Sequence, residues 1–251
     1  MTATRATLLT EIRAQLPEHE ARWLLTHTAG REQPGDNAPV DATAAQRLRA
    51  LAGRRANGEP LAYVLGSQPF RQLELTVTPD VLIPRPETEE LVDYALGLVA
   101  ERRGIRALDL GTGSGAIALA LAQERPDWRV TASERDPAAL SVARANGQRL
   151  GLKVEWVAGD WLQPLTGQVF DLIVSNPPYV ADPDPDLATD VAAHEPAAGL
   201  RAGGDGLAAI RVIARDAPGH LAPGGWLIVE HGARQAVAVA ELLRQAGLET
   251  V

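Results

Sequence analysis

The stretch Arg106-Ala107-Leu108-Asp109-Leu110-Gly111-Thr112-Gly113-Ser114-Gly115-Ala116 decides the fold. A short apolar run ends in three glycines at alternate positions, and an alanine- and leucine-rich segment follows. Such a run is a strand, a tight turn and the start of a helix, the opening of a parallel crossover unit. Working outward, strands are expected at 106–110, 129–134, 153–157, 170–175 and 225–231, and helices at 115–124, 137–149, 205–217 and 233–246. Near-continuous apolar strands alternating with helices make a doubly wound, mostly parallel α/β sheet covered on both faces. Ligands of such sheets lie beyond the C-terminal ends of the strands.

Upstream the pattern differs. Residues 4–28 read as helix broken at Pro17, with Leu8, Leu9, Ile12 and Leu16 on one face and Ala21, Trp23, Leu24 and Leu25 continuing the apolar pattern. The loop Gly30 to Pro39 follows, and Asp41 is the expected N-cap of a helix reaching about Ala56. These elements form an N-terminal helical domain, 1–66. Alternating Phe70, Leu73, Leu75 and Val77, then the apolar run Val81-Leu82-Ile83, predict a β-hairpin linker over 67–83. Pro84-Arg85-Pro86-Glu87-Thr88-Glu89 opens a helix, because prolines pre-set the entry and acidic residues suit a helix N-terminus. The remaining domain is 84–251.

Of the 251 residues, 45% are hydrophobic and 22% charged, which suits a globular chain. Cysteine is absent, so disulfides, thiolate metal sites and a cysteine nucleophile are excluded. No run reaches the ~18 apolar residues of a membrane span, and Met1-Thr2-Ala3-Thr4-Arg5 has no apolar signal core. A soluble cytoplasmic protein is expected. The net charge of −8, with Lys153 the one lysine, argues against a broad surface for nucleic acid.

The glycine turn admits two readings. As G-x-G-x-x-A through Ala116 it satisfies the dinucleotide fingerprint; as G-x-G-x-G after Asp109 it looks like the cofactor loop of S-adenosylmethionine methyltransferases. Either cofactor wants a carboxylate for its ribose hydroxyls, and Glu134 ends the second strand. Gly159-Asp160-Trp161, after the third strand, puts an acid and a large flat ring where an adenine would lie. The fourth strand ends in Ser175-Asn176-Pro177-Pro178-Tyr179. Both prolines lack an N–H, and Asn176 and Pro177 are held extended, so the segment is stiff and its carbonyls are free. The Asn176 oxygen and the Pro177 carbonyl can each accept one N–H of a planar NH2 group, with Tyr179 over its flat face. A dehydrogenase has no use for that element there.

At these residues the chain resembles the methyltransferases of planar nitrogens, whose motif is Asn/Asp-Pro-Pro-Tyr/Phe. The match narrows with Gly58-Glu59-Pro60-Leu61-Ala62-Tyr63, Pro84 to Glu89, Glu195-Pro196, and Glu230-His231-Gly232 after Gly224-Gly225. Together these resemble the release-factor glutamine methyltransferases, PrmC or HemK, over nearly the whole chain. The resemblance implies a Rossmann-like methyltransferase sheet and a bacterial enzyme that uses S-adenosylmethionine. Its substrate would be the side-chain amide nitrogen of the Gln in the Gly-Gly-Gln motif of peptide chain release factors, which the helical domain helps to hold.

By position, it further implies that Gly111, Thr112, Gly113, Ser114 and Gly115 line the methionine side of the cofactor. Glu134 binds ribose, Asp160 and Trp161 face adenine, and Asn176, Pro177, Pro178 and Tyr179 hold the glutamine, with Asn176 also beside the cofactor. The sequence departs from the family in having Glu134 where Asp is usual, and in ending at Thr250-Val251, where the family continues through a last antiparallel strand pair.

Direct in-line displacement is the expected chemistry, and no general base is assigned because the proton can leave after transfer. The alternatives are a nucleic-acid base methyltransferase using the same grip on a flipped base, and a nicotinamide oxidoreductase. Asp182, Asp184 and Asp186 mimic the start of a calcium loop, but Leu187 stands where Gly is required and Ala193 where the bidentate Glu belongs, so no metal is expected. The five histidines lack ligand spacing; His231, at the end of the fifth strand, is the one placed to touch the site.

Overall fold

The structure, a computed structural model, describes residues 3–30 and 37–249. Residues 31–36 of the expected loop and the Thr250-Val251 end lie outside the described residues. Two compact units emerge: Met1–Ser67 with Thr189–His194, and Gln68–Ala188 with Glu195–Val251.

The first unit contains α1 (Arg5–Arg13), α2 (Glu18–Ala29), α3 (Ala42–Ala56) and α4 (Leu61–Leu65). Thr4 and Thr7 form a capping box at the start of α1. Pro17 takes the N-cap position of α2, which is why one apolar pattern yields two helices. The Asp41 carboxylate accepts from Ala44 N at 3.0 Å and caps α3. Leu8, Ile12, Leu24, Leu25 and Leu48 form the core. Arg55 of α3 grips Glu20 of α2 through both oxygens, at 2.8 and 3.0 Å. The sequence does not signal α4; Pro60 sets its entry, and Gly66 at φ 74° ends it.

Next comes a hairpin, β1 (Ser67–Phe70) and β2 (Leu73–Thr76), which from Gln68 onward belongs to the second unit. Its turn puts Arg71 at φ 53°, held by Glu124 at 2.6 Å and Asp93 at 2.8 Å. The hairpin is shorter than the expected 67–83. Val81 and Ile83 are buried but not in a strand, because Pro79 and Pro84 interrupt any ladder and Ile83 N–H goes to the Glu195 carboxylate instead, at 3.2 Å.

There follow α5 (Pro86–Leu98), β3 (Arg106–Leu110), α6 (Ala116–Glu124), β4 (Arg129–Glu134), α7 (Pro137–Leu150), β5 (Glu155–Ala158) and β6 (Phe170–Ser175). Next come α8 (Thr189–His194), which belongs to the first unit, then α9 (Ala197–Leu200), α10 (Ala208–Asp216), β7 (Leu221–Val229) and α11 (Ala236–Gln245). The sheet order is β5-β4-β3-β6-β7, with every pairing parallel. The expected doubly wound sheet is therefore present. β7 starts four residues before the expected 225: Phe170 pairs with Leu221 and Leu172 with Trp226, so Pro223-Gly224-Gly225 is a bulge within the strand.

Alternation along β6 sends Leu172 and Val174 into one core cluster and Ile173 into another, so both faces are covered. Helix α6 is buried from Ala116 to Ala122.

Candidate functional site

A parallel sheet brings the C-terminal ends of β3, β4, β5 and β6 to one edge. Leu110 is in register with both Ser133 and Ser175, and Glu134 with Ala158. Gly111 and Asn176 thus leave adjacent strands side by side, about 5 Å apart at strand spacing. A cavity opens here, and its lining draws on every one of these strand ends and on the start of α5.

Asp109 braces the glycine loop from beneath. It is fully buried, and its Oδ2 accepts from the Thr112 hydroxyl at 2.5 Å and from Ala118 N at 3.1 Å, tying the loop to the first turn of α6. Burial pushes its carboxyl up to about 7; the two hydrogen bonds oppose the shift and the nearby Glu134 charge adds to it. Gly111 N and Thr112 N both donate to Ser133 O, at 2.9 and 3.0 Å.

The three glycines serve different ends. A Cβ at Gly111 would lie 3.1 Å from the Trp161 ring, and one at Gly115 would lie 3.0 Å from Leu119 and 3.2 Å from Trp156. Gly113 has φ 55° but no protein atom within 4 Å of its Cβ position, which opens on the cavity. Gly111, Thr112, Gly113 and Ser114 line the cavity; Gly115 does not, because packing occupies that side of it.

Glu134 also lines the cavity, with Oε2 accepting from Gly113 N and Oε1 from Asp136 N, both at 3.0 Å. Each oxygen keeps a lone pair for a further donor. Asp160 and Trp161 complete that wall. Asp160 Oδ1 is buried with no hydrogen-bond partner, and the nearest cation, Arg135, stands 4.0 Å away, beyond hydrogen-bond reach.

From the β6 end, Asn176 and Pro178 line the cavity, whereas Pro177 and Tyr179 do not. Asn176 Nδ2 donates to the Thr88 hydroxyl at 2.9 Å; Thr88 donates to Glu230 Oε2 at 2.8 Å, and Tyr179 donates to Glu230 Oε1 at 3.2 Å. Among the described residues, neither Asn176 Oδ1 nor the Pro177 carbonyl takes a hydrogen bond from the protein. Burial raises the Glu230 carboxyl, with Glu87 adding to the shift and hydrogen bonds from the Thr88 and Tyr179 hydroxyls opposing it. Desolvation, reinforced by Glu230, pushes the Tyr179 hydroxyl up to about 12, so it stays protonated. The Tyr179 carbonyl is held by Gln235 Nε2 at 3.0 Å, and a Cβ at Gly206 would clash with it.

Arg85 lines the cavity and is paired with the buried Glu195. Thr88, Gln235 and Gly206 escaped the sequence reading. Thr88 and Glu230 do lie within motifs that it quoted, but a motif does not say which side chain meets which. His231 is not in the lining; its Nδ1 lies 3.0 Å from Gly232 O. Asp182 pairs with Arg201, and Asp186 with Arg234 at 3.2 Å; among the described residues no group of His, Cys, Asp and Glu could hold a metal ion. No described helix is long and apolar enough to cross a membrane.

Residues 96–207 match the family described as Methyltransferase small domain, and residues 5–66 match the PrmC N-terminal domain. A release factor glutamine methyltransferase of Bordetella pertussis is 49% identical, covering 98% of this chain and 93% of its own. One of Burkholderia pseudomallei is 48% identical, covering 99% of this chain and 90% of its own. Among solved structures, a methyltransferase from Pyrococcus furiosus has a TM-score of 0.53 at 23% identity, covering 70% of this chain and 79% of that one, a likeness of fold.

Proposed function

We propose that this chain, which belongs to the release factor glutamine methyltransferase family, methylates the side-chain amide nitrogen of the glutamine in the Gly-Gly-Gln motif of peptide chain release factors. The observation that carries the reading is the position of Asn176. Asn176, whose oxygen takes no hydrogen bond from the protein, lines the same cavity as the glycine loop, where an NH2 held by Asn176 and Pro177 would meet a methyl donor.

The cavity suits S-adenosylmethionine on three counts. The loop offers backbone without Cβ at Gly113, where the Cβ position is open; Glu134 has lone pairs to spare; and the orphaned Asp160 Oδ1 lacks a donor that an adenine amine would supply. Bound there, the cofactor supplies an electrophilic methyl group. Gly111 to Ser114 would hold its methionine portion, Glu134 its ribose, and Asp160 with Trp161 its adenine.

The protein's part in the chemistry is orientation. An amide nitrogen is a poor nucleophile, because its lone pair is delocalised into the carbonyl. Two acceptors, Asn176 Oδ1 and the Pro177 carbonyl, fix the plane of the NH2 and stabilise positive charge as it develops on nitrogen. The transfer is direct and in line, and the proton leaves afterwards. Tyr179 is held with its hydroxyl on Glu230, so its ring rather than its polar end is left to meet the substrate. We assign release-factor holding to the helical unit around α1 to α4, and methyl transfer to the sheet unit.

The test is mass spectrometry of a release factor incubated with enzyme and S-adenosylmethionine. A mass gain of one methylene is expected on the Gly-Gly-Gln peptide, lost with Gly-Gly-Asn, whose shorter chain cannot bring its nitrogen in line. Asn176→Ala should lower the rate by ~100-fold with cofactor affinity unchanged. An unmodified release factor alongside a methylated RNA would refute the reading in favour of base methylation.

A further inference from the structure

We propose that Thr88 and Glu230 are positioning residues for this reaction: they form a relay that locks the Asn176 amide with its oxygen, and never its NH2, toward the substrate. The inference rests on Asn176 being the substrate grip, as set out above. An asparagine amide can turn over at little cost, since its oxygen and nitrogen differ only in hydrogen-bond sense. Turned over, Asn176 would present a donor to the glutamine NH2, donor against donor, and the grip would be lost.

The polarity of the relay forbids that orientation. A carboxylate only accepts. The Thr88 hydroxyl has a single proton and gives it to Glu230 Oε2 at 2.8 Å. What it then offers Asn176 is a lone pair, and the group 2.9 Å away must be the Nδ2 donor. The other Glu230 oxygen is taken by the Tyr179 hydroxyl at 3.2 Å. Glu230 itself is anchored by its own N–H, which donates to Ser175 O at 2.9 Å, one residue before Asn176.

Three distant segments thus converge on one side chain: the first turns of α5, the end of β6 and the end of β7. Thr88 is 3% exposed, so water does not compete for its hydroxyl. The relay also sets specificity, because two fixed acceptors welcome an amide NH2 and repel a carboxylate of the same shape.

The test compares Thr88→Val, Thr88→Ser, Asn176→Ala and the double variant Thr88→Val/Asn176→Ala. Thr88→Val should lower kcat by about 10- to 100-fold, below the loss for removing the contact itself, with cofactor Kd within about twofold. Thr88→Ser keeps the hydroxyl and should recover most of the rate. In the Asn176→Ala background, Thr88→Val should add no further loss, since the two act in series. A Thr88→Val enzyme at wild-type kcat, or a loss that persists in that background, overturns the relay.

A second readout needs no substrate. The Asn176 side-chain amide protons should be protected from exchange in the wild type and unprotected in Thr88→Val, measured by 15N NMR. Unchanged protection refutes the relay even if release factor is methylated. Lost protection in an enzyme that ignores release factor refutes the substrate reading instead.

Discussion

Asp109→Asn should make the protein's stability depend less on pH, and by an amount the structure sets. The wild-type carboxyl titrates at about 7 when folded, against an ordinary value of 3.8. A folded-state pKa raised in this way means that the folded protein holds the proton more tightly than the unfolded chain. Asp109 therefore costs nothing below 3.8, costs progressively more as the pH rises toward 7, and levels off above. Between pH 5 and pH 8 the linkage amounts to about 2–3 kcal/mol. Asn is a close isostere whose oxygen can stand where Oδ2 accepts from Thr112 and Ala118. Its NH2 falls where Oδ1 already lacks a partner, a penalty that does not change with pH. The assay is urea unfolding of wild type and variant at both pH values, followed through Trp128 and Trp156. The variant should gain about 2–3 kcal/mol on the wild type in going from pH 5 to pH 8. A difference that stays constant to within about 1 kcal/mol would show that Asp109 is not a strained buried charge beneath the loop.

Two further predictions concern the cofactor wall. Gly113→Val should abolish S-adenosylmethionine binding in calorimetry at a stability cost of only about 1–2 kcal/mol, the strain of a left-handed residue, because its side chain meets open cavity rather than protein; a normal dissociation constant would refute the loop assignment. Glu134→Ala should lose about 1.5–3 kcal/mol of cofactor affinity, and Glu134→Asp should recover only part of it, since the shorter carboxylate must also reach the N–H groups of Gly113 and Asp136; unchanged affinity in the alanine variant would reduce Glu134 to a brace for the loop.

The parallel sheet was legible because period and glycine punctuation are local signals. So were the cap at Asp41 and the break at Pro17, where one residue's chemistry decides the backbone. Failures came where partners are remote. Val81 to Ile83 reads as a strand, since the apolar pattern is silent about Glu195, 112 residues away, which takes the Ile83 N–H. The last strand is expected to begin only at 225, because no local signal says that pairing already starts at Leu221, ahead of Pro223 and Gly224. Within the site, the motif marks its three glycines alike; the protein crowds Gly111 and Gly115, through Trp161 after β5 and Trp156 within it, and leaves Gly113 open.

The same division explains why the grip on the substrate uses a neutral acceptor with a carboxylate set behind it. A carboxylate in the place of Asn176 would bring a full charge to the reacting nitrogen, but its role would change with pH, since a protonated carboxyl becomes a donor. An amide has no such titration. Through Thr88, the Glu230 carboxylate polarises Asn176 and fixes its sense, while its own oxygens are occupied by the Thr88 and Tyr179 hydroxyls and not by substrate. The acceptor that meets the NH2 is thus constant in charge and single in orientation, and developing positive charge on the nitrogen meets dipoles already aligned toward it. That arrangement requires the start of α5 and the ends of β6 and β7 to meet at one place, and the parallel sheet, flanked by α5, brings them there.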